Sequence, residues 1–541
     1  MRRRWSTWFL LCALVLAAAA FRFYGLAWDG LIGTHPDERY VVDAAARLSF
    51  PGGLNPFTVA PDYAYGHLPL YLLAAAHGLV SGVDPLLVGR ALSALFDVGT
   101  VALTFALGRR VYGERVGLLG AAFVAVMAAH VQEAHFYTAD TLLAFFSIAA
   151  LFFAVRFAGE GRAVDACLAG GAAGLALGSK ATAGLLAVPL GLACWSAPDG
   201  REQGVWRCGV ATGAAFLLVD PFAVIELPTF LGNLARQGAV LRGALDVPYT
   251  RQYHRTLPYV YPVMQQLRWG MGWLMGTGAF AGLAYEAARV VRRSAPGEVW
   301  VLLAWVVPFF SFVGGLYAKF PRYLLPILPV LAIYAAHLID ALDRWRRGLL
   351  VGLSALVLGA LLLRCGALVG MYRAPHPWAA ASEWFYEEVE PGATVAVEAW
   401  DHPLPVDASD YALVELPVFD EETEEKWVVM EERLAEAEYV VVASRRGYAS
   451  LGRWPARHGR TLRYYERLFE GELGFEPVAC FTRYPRLGPL ALADDPTSGL
   501  AFSLPDGCEP ASRWARHLGR LDESYVVYDH PRVVVFKEVG G

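Results

Sequence analysis

The sequence WFLLCALVLAAAAFRFYGLA, at residues 8–27, contains a single charged side chain, Arg22. About 20 apolar residues are enough for one helix to cross the hydrocarbon core of a bilayer. Three arginines precede this stretch at residues 2–4, and because basic residues collect on the cytoplasmic side, the chain is predicted to begin there. Apolar stretches recur as far as residue 371, so the sequence predicts a polytopic α-helical membrane protein. A cleaved signal peptide is the alternative interpretation of the first stretch, and it leaves the later topology unchanged.

Composition divides the 541 residues into two parts. Hydrophobic residues make up 56% of the chain, and residues 1–371 carry 29 basic and 21 acidic side chains, whereas residues 372–541 carry 17 and 30. We therefore predict a multi-pass membrane domain over residues 1–372 and a small, acidic α/β domain over residues 373–541. Basic stripes with interleaved aromatic residues do not occur, which argues against a nucleic-acid partner.

Hydropathy and loop charge predict eleven helical spans, with the carboxyl-terminal domain outside the cytoplasm. After the first span, they are predicted at residues 87–108, 116–130, 138–157, 163–179, 183–196, 207–222, 269–291, 298–317, 322–340 and 348–370. Arginine clusters then fall on the inner face, and the long outer loops are residues 28–86 and 223–268. The segment 67–83 is apolar but interrupted by proline, so we interpret it as a re-entrant or interfacial helix. Counting it and a compensating segment as spans gives about 13 helices.

The motif THPDE, at residues 34–38, lies just outside the first predicted span. Thr34 is predicted to cap a helix that begins at Pro36, with Asp37 placed where the helix dipole favours an acid. Capping alone is one explanation of Asp37. It does not explain the neighbouring Glu38, and an acidic pair at a membrane edge is well placed for chemistry on a lipid-linked substrate.

The segment QEAHFYTAD, at residues 132–140, joins two predicted spans on the same outer side. It places Glu133, His135, Tyr137 and Asp140 in one short turn, which is more polarity than a connector needs. Asp140 begins a span, so a dipole partner is the alternative interpretation. Ionisable residues at the edge of a span nevertheless suggest a functional site.

Cations and aromatic residues accompany these acids on the outer side. His67 lies in the first long loop, and Lys180, Lys319 and Arg322 lie at the outer ends of predicted spans. They can contact an anionic group, although snorkelling towards the interface explains the lysines and the arginine equally well. Tyr259, in the second long loop, fits either an interfacial aromatic belt or a ring that stacks on a sugar.

The seven cysteines show no metal-ligand spacing. Cys480 and Cys508 share the terminal domain, and they can form a disulfide if that domain is outside the cytoplasm. The sequence leaves this pairing open. In the same domain, strands are predicted at 394–397, 439–443, 525–527 and 533–536, and a helix at 421–438.

Taken together, several motifs resemble the C-type membrane glycosyltransferases of family 39, which include the protein O-mannosyltransferases and the lipid A aminoarabinose transferase. They are HPDE at 35–38, HLPLYLL at 67–73, QEAHFYTAD at 132–140, LGSKATAGLL at 177–186, TLPYVYP at 256–262, WGMGW at 269–273 and KFPRYLLPILP at 319–329. Each motif is short, but their order and common sidedness are fairly specific, and they cover most of residues 1–340. The resemblance implies the C-type glycosyltransferase fold, with about 11 to 13 transmembrane helices.

The resemblance also implies an activity. Family members carry out an inverting transfer of a sugar from a polyprenyl-phosphate donor to a hydroxyl or phosphate acceptor, here a glycan, lipid or protein on the outer face of the cell membrane. Asp37 matches the family's first-loop acid, the proposed base, and Asp140 matches a second acid near it. The sequence departs from the family at GHLP, residues 66–69, where two prolines and a cation are usual.

The chemistry of such a transfer assigns roles to the polar residues. Displacing a lipid phosphate requires a base for the acceptor proton and cations for the developing phosphate charge. We predict the catalytic residues to be Asp37, Glu38 and Asp140. The predicted ligands of the donor phosphate are Lys180, Lys319, Arg322 and His67. The predicted contacts to the acceptor or the sugar are Glu133, His135, Tyr137 and Tyr259.

Three other interpretations compete with this one. A divalent metal between Asp37 and Asp140 lacks a clear third ligand, so no cofactor and no metal site are predicted. A transporter or flippase would need ionisable residues deep within the spans, whereas the ionisable residues are predicted to cluster at one face. The third alternative is a non-catalytic scaffold with an exported binding domain.

Overall fold

The computed structural model describes residues 2–49, 53–80, 82–198, 201–510 and 512–540. The chain is helical as far as residue 371 and combines strands with helices beyond it. The predicted fold class, a polytopic helical protein with a small terminal α/β domain, is confirmed.

Eighteen α-helices cover the described part of the first 371 residues. They are α1 (Arg2–Phe23), α2 (Pro36–Arg47), α3 (Pro56–Val59), α4 (Leu68–Leu79), α5 (Pro85–Tyr112), α6 (Glu114–Ala125), α7 (Ala128–Glu133), α8 (Ala139–Glu160), α9 (Ala163–Leu177), α10 (Ala187–Ser196), α11 (Arg201–Val219), α12 (Phe222–Ile225), α13 (Leu227–Leu241), α14 (Val260–Gln265), α15 (Trp273–Val291), α16 (Gly297–Gly315), α17 (Leu328–Trp345) and α18 (Leu349–Met371). Short 3₁₀ segments cover Ala181–Leu186, Pro248–Tyr253 and Pro321–Ile327, and a π-helical turn covers Gln266–Gly270.

Among the described residues, five helical segments are long and apolar enough to cross a membrane: Pro85–Tyr112, Ala139–Glu160, Gly297–Gly315, Pro321–Trp345 and Leu349–Met371. Shorter apolar helices accompany them, so the total of eleven spans stays a prediction. The segment interpreted as re-entrant forms α4, which has 12 residues. At 1.5 Å per residue such a helix is about 18 Å long, which is shorter than the roughly 30 Å hydrocarbon core.

The start of α2 differs from the prediction in one respect. Pro36 is the first helical residue, as expected, but the cap is His35 and not Thr34. The Nδ1 atom of His35 accepts the backbone N–H of Asp37 at 3.1 Å. The sequence rule favours a threonine hydroxyl at this position, and an imidazole nitrogen one residue later satisfies the same orphan donor.

Ionisable residues are not confined to one face of the helical part, which corrects the sequence prediction. Arg22 of α1 donates to Asp97, near the middle of α5, at 2.6 Å, and His130 of α7 lies 2.6 Å from the other oxygen of the same carboxylate. Elsewhere, Glu286 of α15 pairs with His337 of α17. These groups are buried, and hydropathy averages over a long apolar helix conceal such isolated charges.

The terminal domain is built on two sheets. Its strands are β1 (Thr394–Glu398), β2 (Ala412–Leu416), β3 (Tyr439–Val442), β4 (Phe475–Phe481), β5 (Arg486–Leu487), β6 (Leu490–Ala493), β7 (Trp514–His517) and β8 (Val533–Glu538), and its α-helices are α19 (Pro377–Glu388), α20 (Glu424–Glu436), α21 (Arg446–Leu451) and α22 (Gly459–Phe469). The larger sheet has the order β2-β1-β3-β8-β4. In it β1 is parallel to β2 and β3, and β8 is antiparallel to β3 and β4.

Most of the elements predicted for this domain form near their predicted positions. The strand predicted at 525–527 is wrong, because a 3₁₀ turn occupies Glu523–Tyr525 and the chain is irregular beyond it. A run of β-branched residues there is buried without pairing in the ladder. Cys480 and Cys508, whose pairing the sequence left open, form a disulfide.

The chain divides into two compact units. One comprises Met1–Leu26, His35–Gly238 and Pro258–Cys365, and the other Ala27–Thr34, Ala239–Leu257 and Gly366–Gly541. The second unit therefore includes part of the long loop 223–268 as well as the terminal domain. In this unit the loop residue Arg251 donates to the Phe419 carbonyl at 2.5 Å.

Candidate active site

Asp37 presents a partly exposed carboxylate at the first turn of α2. Its Oδ2 accepts hydrogen bonds from Arg322 Nη2 at 2.7 Å and from the Tyr65 hydroxyl at 3.0 Å. The Asp37 side chain is 27% exposed, whereas that of Arg322 is 4% exposed. The carboxylate is therefore held by two donors and remains accessible.

Asp140 and Lys180 extend this contact into a chain of alternating charges. Lys180 Nζ donates to Asp140 Oδ1 at 2.8 Å, and Arg322 Nε lies 3.6 Å from Asp140 Oδ2. Asp37, Arg322, Asp140 and Lys180 thus form a continuous cluster, which we call the acid–base cluster. Asp37 lies in the first turn of α2, and Asp140 lies in the first turn of α8. Arg322 lies in the 3₁₀ segment before α17, and Lys180 directly precedes the 3₁₀ segment before α10.

A close approach of two backbones brings the Tyr65 loop beside Lys180. The N–H of Gly66 donates to the Ser179 carbonyl at 3.2 Å, and the next loop bond joins Leu68 N–H to the Gly178 carbonyl at 2.9 Å. A Cβ atom on Gly66 would lie 2.0 Å from that carbonyl oxygen, so only glycine fits. The Lys180 ammonium then lies 5.6 Å from the Tyr65 ring centre.

Electrostatics keep Asp37 ionised. Burial raises the pKa of the Asp37 carboxyl, but the positive charges of Arg322 and Lys180 and the hydrogen bond from Tyr65 lower it by more, so the pKa lies below the usual 3.8. Burial, followed by the charge of Asp37, raises the pKa of the Tyr65 hydroxyl well above its usual value. Tyr65 therefore stays a donor towards the carboxylate.

Glu133 is the third acid of this region and behaves differently. It ends α7 and is 2% exposed. Burial raises the pKa of its carboxyl to about 8, and the charges of Asp140 and Asp37 add to the increase, while Arg322 and Lys180 oppose it. One carboxyl oxygen, Oε2, is buried without a hydrogen-bond partner. Glu133 therefore carries a proton at neutral pH beside two acids, of which Asp37 is held ionised.

Glu38 binds protein groups on both of its oxygens. Arg90 of α5 donates to them through Nε and Nη2, each at 2.9 Å, and the backbone N–H of Tyr137 donates to Oε1 at 2.8 Å. Both charged side chains are fully buried. This bidentate pair connects α2, α5 and the 131–137 loop, so Glu38 fixes the position of Asp37 relative to that loop.

The predicted site residues of the loops 28–86 and 131–137 also contact protein groups. His67 Nδ1 lies 2.5 Å from Asp220 Oδ1, and both side chains are buried. The Tyr137 hydroxyl donates to the Pro69 carbonyl at 2.7 Å. The ring nitrogens of His135 lie 2.7 and 3.0 Å from the carbonyl oxygens of Val131 and Tyr24. These contacts order the loops around the acid–base cluster.

Lys319 and Tyr259 have other surroundings. Lys319 Nζ donates to the Tyr317 carbonyl at 2.8 Å. Tyr259 is 45% exposed, has a positive φ of 61°, and donates from its hydroxyl to the Ser311 carbonyl at 3.2 Å. The predicted roles of these two residues in binding phosphate and sugar stay predictions.

Within the described ranges, no group of three or more His, Cys, Asp or Glu side chains has the arrangement of a metal site. The acids of the cluster are instead paired with Arg322 and Lys180. The expectation that the activity needs no metal or cofactor stays a prediction.

Sequence reasoning assigned no role to three residues that shape this site, Tyr65, Arg90 and Asp220. Tyr65 directly precedes the GHLP segment, and Asp220 stands before a proline at the end of an apolar segment, so their positions gave a usable signal. Arg90 lies inside a predicted span, where a buried arginine requires an acidic partner. That requirement points to Glu38 as one candidate partner.

Residues 67–223 match a protein family described as dolichyl-phosphate-mannose-protein mannosyltransferase. This segment contains Asp140, Lys180 and Glu133. No curated protein sequence matches the chain at a significant level.

Two groups of solved structures share the fold. The archaeal oligosaccharyltransferase AglB from Archaeoglobus fulgidus, in complex with an inhibitory peptide and a dolichol-phosphate, is 16% identical, with a TM-score of 0.56 over 85% of this chain and 72% of its own. ArnT from Cupriavidus metallidurans, bound to undecaprenyl phosphate, is also 16% identical, with a TM-score of 0.52 over 82% of this chain and 94% of its own. The family model covers less than a third of the chain, and the structural likenesses show that this chain shares the fold of AglB and ArnT.

Proposed function

We propose that this chain is a C-type glycosyltransferase that moves a sugar from a polyprenyl-phosphate donor to an acceptor, with inversion, on the outer face of the cell membrane. The observation that carries the proposal is the acid–base cluster, in which a partly exposed acid, Asp37, lies against the buried cation Arg322. A second cation, Lys180, joins the cluster through Asp140. A base beside cations is what displacement of a lipid phosphate requires.

The proposed step is a single displacement at the anomeric carbon. An acceptor hydroxyl attacks that carbon from the face opposite the phosphate, and its proton passes to the Asp37 carboxylate. The bond between the anomeric carbon and the phosphate oxygen breaks, and the electron pair leaves with the polyprenyl phosphate. Inversion follows because the acceptor and the leaving group occupy opposite faces of the sugar.

Lys180 and Arg322 are suited to stabilise the leaving phosphate. Each already contacts a carboxylate, so a phosphate oxygen can replace or share those contacts without leaving a cation unpaired. Arg322 offers a planar fork, whereas Lys180 offers a compact charge on a flexible stem. With Glu133 protonated, two cations face two carboxylates, and the cluster is electrically balanced before the donor binds.

The neighbours support the chemical class of the donor. The AglB structure contains a dolichol-phosphate and the ArnT structure contains undecaprenyl phosphate, and both lipids are polyprenyl phosphates. The sugar and the acceptor, which we expect to be a glycan, lipid or protein, are not specified by these likenesses. The disulfide between Cys480 and Cys508 supports an extracytoplasmic terminal domain, since disulfides persist in oxidising compartments.

A transporter or flippase is the second candidate, because Asp97 and Glu286 place acids within the helical part. Each acid has partners that satisfy it. Asp97 binds Arg22 and His130, and Glu286 binds His337. Fully paired acids of this kind connect neighbouring helices, so we favour the transferase.

The test is transfer of radiolabelled sugar from a synthetic polyprenyl-phosphate donor by the purified chain in lipid nanodiscs. We expect Asp37→Asn to lower the turnover by about 10²–10⁴ because it removes the general base. Asp43→Asn is the matched control, since it makes the same change at an exposed position of the same helix. Unchanged turnover of Asp37→Asn would refute the assigned role. Flipping of an intact donor without sugar transfer would favour the transporter.

A further inference from the structure

Three arginines converge on one edge of the five-stranded sheet in the terminal domain. Arg445 follows β3, Arg483 follows β4, and Arg532 immediately precedes β8. Because β8 lies between β3 and β4 and runs antiparallel to both, these three chain positions meet at the same edge. It is also the edge at which the parallel strands β1 and β3 end. Ligands of open α/β sheets usually bind outside the carboxyl ends of such strands.

The three side chains line a narrow cleft with a cavity volume of about 20 Å³, which we call the arginine cleft. Asp494 and His530 also line it, and His530 pairs with the neighbouring Asp529. Counting the histidine as neutral, the three arginines exceed the carboxylates of Asp494 and Asp529 by one positive charge. A buried excess of this kind is costly unless an anion compensates it.

Two of these arginines are more than nine-tenths buried and have N–H groups without partners. Arg445 is 4% exposed and donates to the Leu521 carbonyl through Nη2 at 2.7 Å. Its Nε lies 2.9 Å from Asp494 Oδ2, but neither Nε nor Nη1 makes a hydrogen bond with acceptable geometry. Arg532 is 7% exposed, and its Nε has no partner.

The remaining contacts hold Arg532 in place without using this Nε. Its Nη1 donates to the Pro496 carbonyl and its Nη2 to the Tyr484 hydroxyl, both at 3.0 Å. The Tyr484 hydroxyl in turn donates to the carbonyl of Cys508, a disulfide residue, at 2.6 Å. The guanidinium groups are thus fixed by protein acceptors, and each keeps at least one buried N–H group that makes no hydrogen bond to the protein.

Asp494 alone does not account for this arrangement. It lies 2.9 Å from Arg445 Nε and 3.7 Å from Arg532 Nη2, and one carboxylate neutralises one cation. Arg483 supplies the third cation of the arginine cleft, and its Nε is also buried without a hydrogen-bond partner. We infer that the arginine cleft binds an oxyanion, a phosphate or carboxylate group carried by a soluble glycan or by a lipid headgroup. Arginine forks match the geometry of both groups. This site goes beyond the proposed transfer and does not depend on it.

The experiment measures binding of inorganic phosphate to the full-length protein in phosphatidylcholine nanodiscs by isothermal titration calorimetry, without any sugar donor. We expect Arg532→Gln and Arg445→Gln each to weaken binding by roughly tenfold or more, since each removes a charge-assisted hydrogen bond. Asp494→Asn should tighten binding, because it removes the competing carboxylate. Arg463→Gln, at an exposed position of α22, removes the same charge outside the arginine cleft and should change nothing.

Thermal unfolding without phosphate checks that each variant folds, and Arg532→Lys replaces a variant that does not. Repeating the titration in nanodiscs that contain phosphatidylglycerol separates the two sources of the anion. A lower apparent affinity for phosphate there indicates a lipid headgroup in the arginine cleft, and an unchanged affinity indicates a soluble ligand. Absence of phosphate binding, or binding that Arg445→Gln, Arg532→Gln and Asp494→Asn leave unchanged, would overturn the proposal.

Discussion

Arg322 Nη2 donates to Asp37 Oδ2 at 2.7 Å and so joins two residues that are 285 positions apart in the chain. The same guanidinium reaches Asp140 through Nε at 3.6 Å. A single buried side chain therefore fixes the distance between both acids of the acid–base cluster. Its positive charge is also the largest influence that lowers the pKa of Asp37 against the effect of burial.

Arg322→Gln is therefore expected to change the pH dependence of transfer as well as its rate. Without the guanidinium, the pKa of Asp37 should rise, and the acidic limb of kcat/KM against pH should move to higher pH. Arg322→Lys keeps a positive charge but loses the guanidinium fork, so its acidic limb should lie between those of the wild type and Arg322→Gln. The measurement is kcat/KM for the donor across the pH range, and an acidic limb that stays in place in Arg322→Gln would contradict the coupling.

Lys180 and Lys319 allow a matched comparison, since lysine occurs only four times in the chain. Lys180 belongs to the acid–base cluster and donates to Asp140, whereas Lys319 donates to the Tyr317 carbonyl. Lys180→Gln should weaken use of the donor by about 1–3 kcal/mol, the usual cost of losing a hydrogen bond to a charged group. Lys319→Gln should have a smaller effect. Donor titrations at saturating acceptor test this, and equal effects of the two substitutions would argue against a special role for Lys180.

The pair between Glu38 and Arg90 is expected to contribute to stability. Glu38→Gln leaves the buried guanidinium without its charge partner, which should destabilise the protein by about 3–5 kcal/mol. The double variant Glu38→Gln, Arg90→Met removes both charges and should recover much of that loss. Thermal unfolding of the detergent-solubilised protein provides the measurement. If Glu38→Gln unfolds like the wild type, Glu38 is not needed to hold α2 against α5.

Part of this site could be predicted from sequence, because Asp37, Asp140, Lys180 and Arg322 stand at the edges of apolar segments. Charged residues at such edges indicate a functional site, and the structure brings all four side chains together. The pairing of Glu38 with a residue 52 positions away could not be predicted, since a short motif does not record its long-range partners. The bidentate partner and complete burial of Glu38 fit a side chain that holds Asp37 in position, and the predicted catalytic role of Glu38 stays a prediction.

The same reason explains the errors elsewhere. Residues 525–527 are aromatic and β-branched, which favours a strand, yet they pack in the core at and after a 3₁₀ turn, and tertiary burial of such residues does not require strand pairing. Asp97 was hidden because a single acid hardly changes the mean hydropathy of a 28-residue helix. Its partners Arg22 and His130 come from α1 and α7, which only the folded chain brings together.

The position of the terminal domain relative to the membrane gives another prediction. Eleven spans after a cytoplasmic start, together with the disulfide between Cys480 and Cys508, lead us to expect this domain outside the cytoplasm. A reporter fused after residue 541 that is active only outside the cytoplasm should be active. A second reporter that works only in the cytoplasm is the control, and its activity at the same fusion point would reverse the predicted topology.

Glu133 predicts how transfer responds to alkaline pH. Burial raises the pKa of its carboxyl to about 8, so raising the pH through this value adds a negative charge beside Asp37 and Asp140. That charge should repel the donor phosphate, and kcat/KM for the donor should fall above about pH 8. Glu133→Gln resembles the protonated form and should keep its activity there.

Folding stability should follow the same ionisation. Because the pKa of Glu133 is higher in the folded chain than its usual 4.5, the folded state binds the proton more tightly. The resulting stability is complete below pH 4.5 and is lost as the pH rises to about 8. Glu133→Gln should therefore flatten the pH dependence of the unfolding temperature across this range. Parallel curves of unfolding temperature against pH for the wild type and Glu133→Gln would show that Glu133 does not ionise in this range. In the transfer assay, loss of activity of Glu133→Gln at every pH would instead place Glu133 in proton transfer.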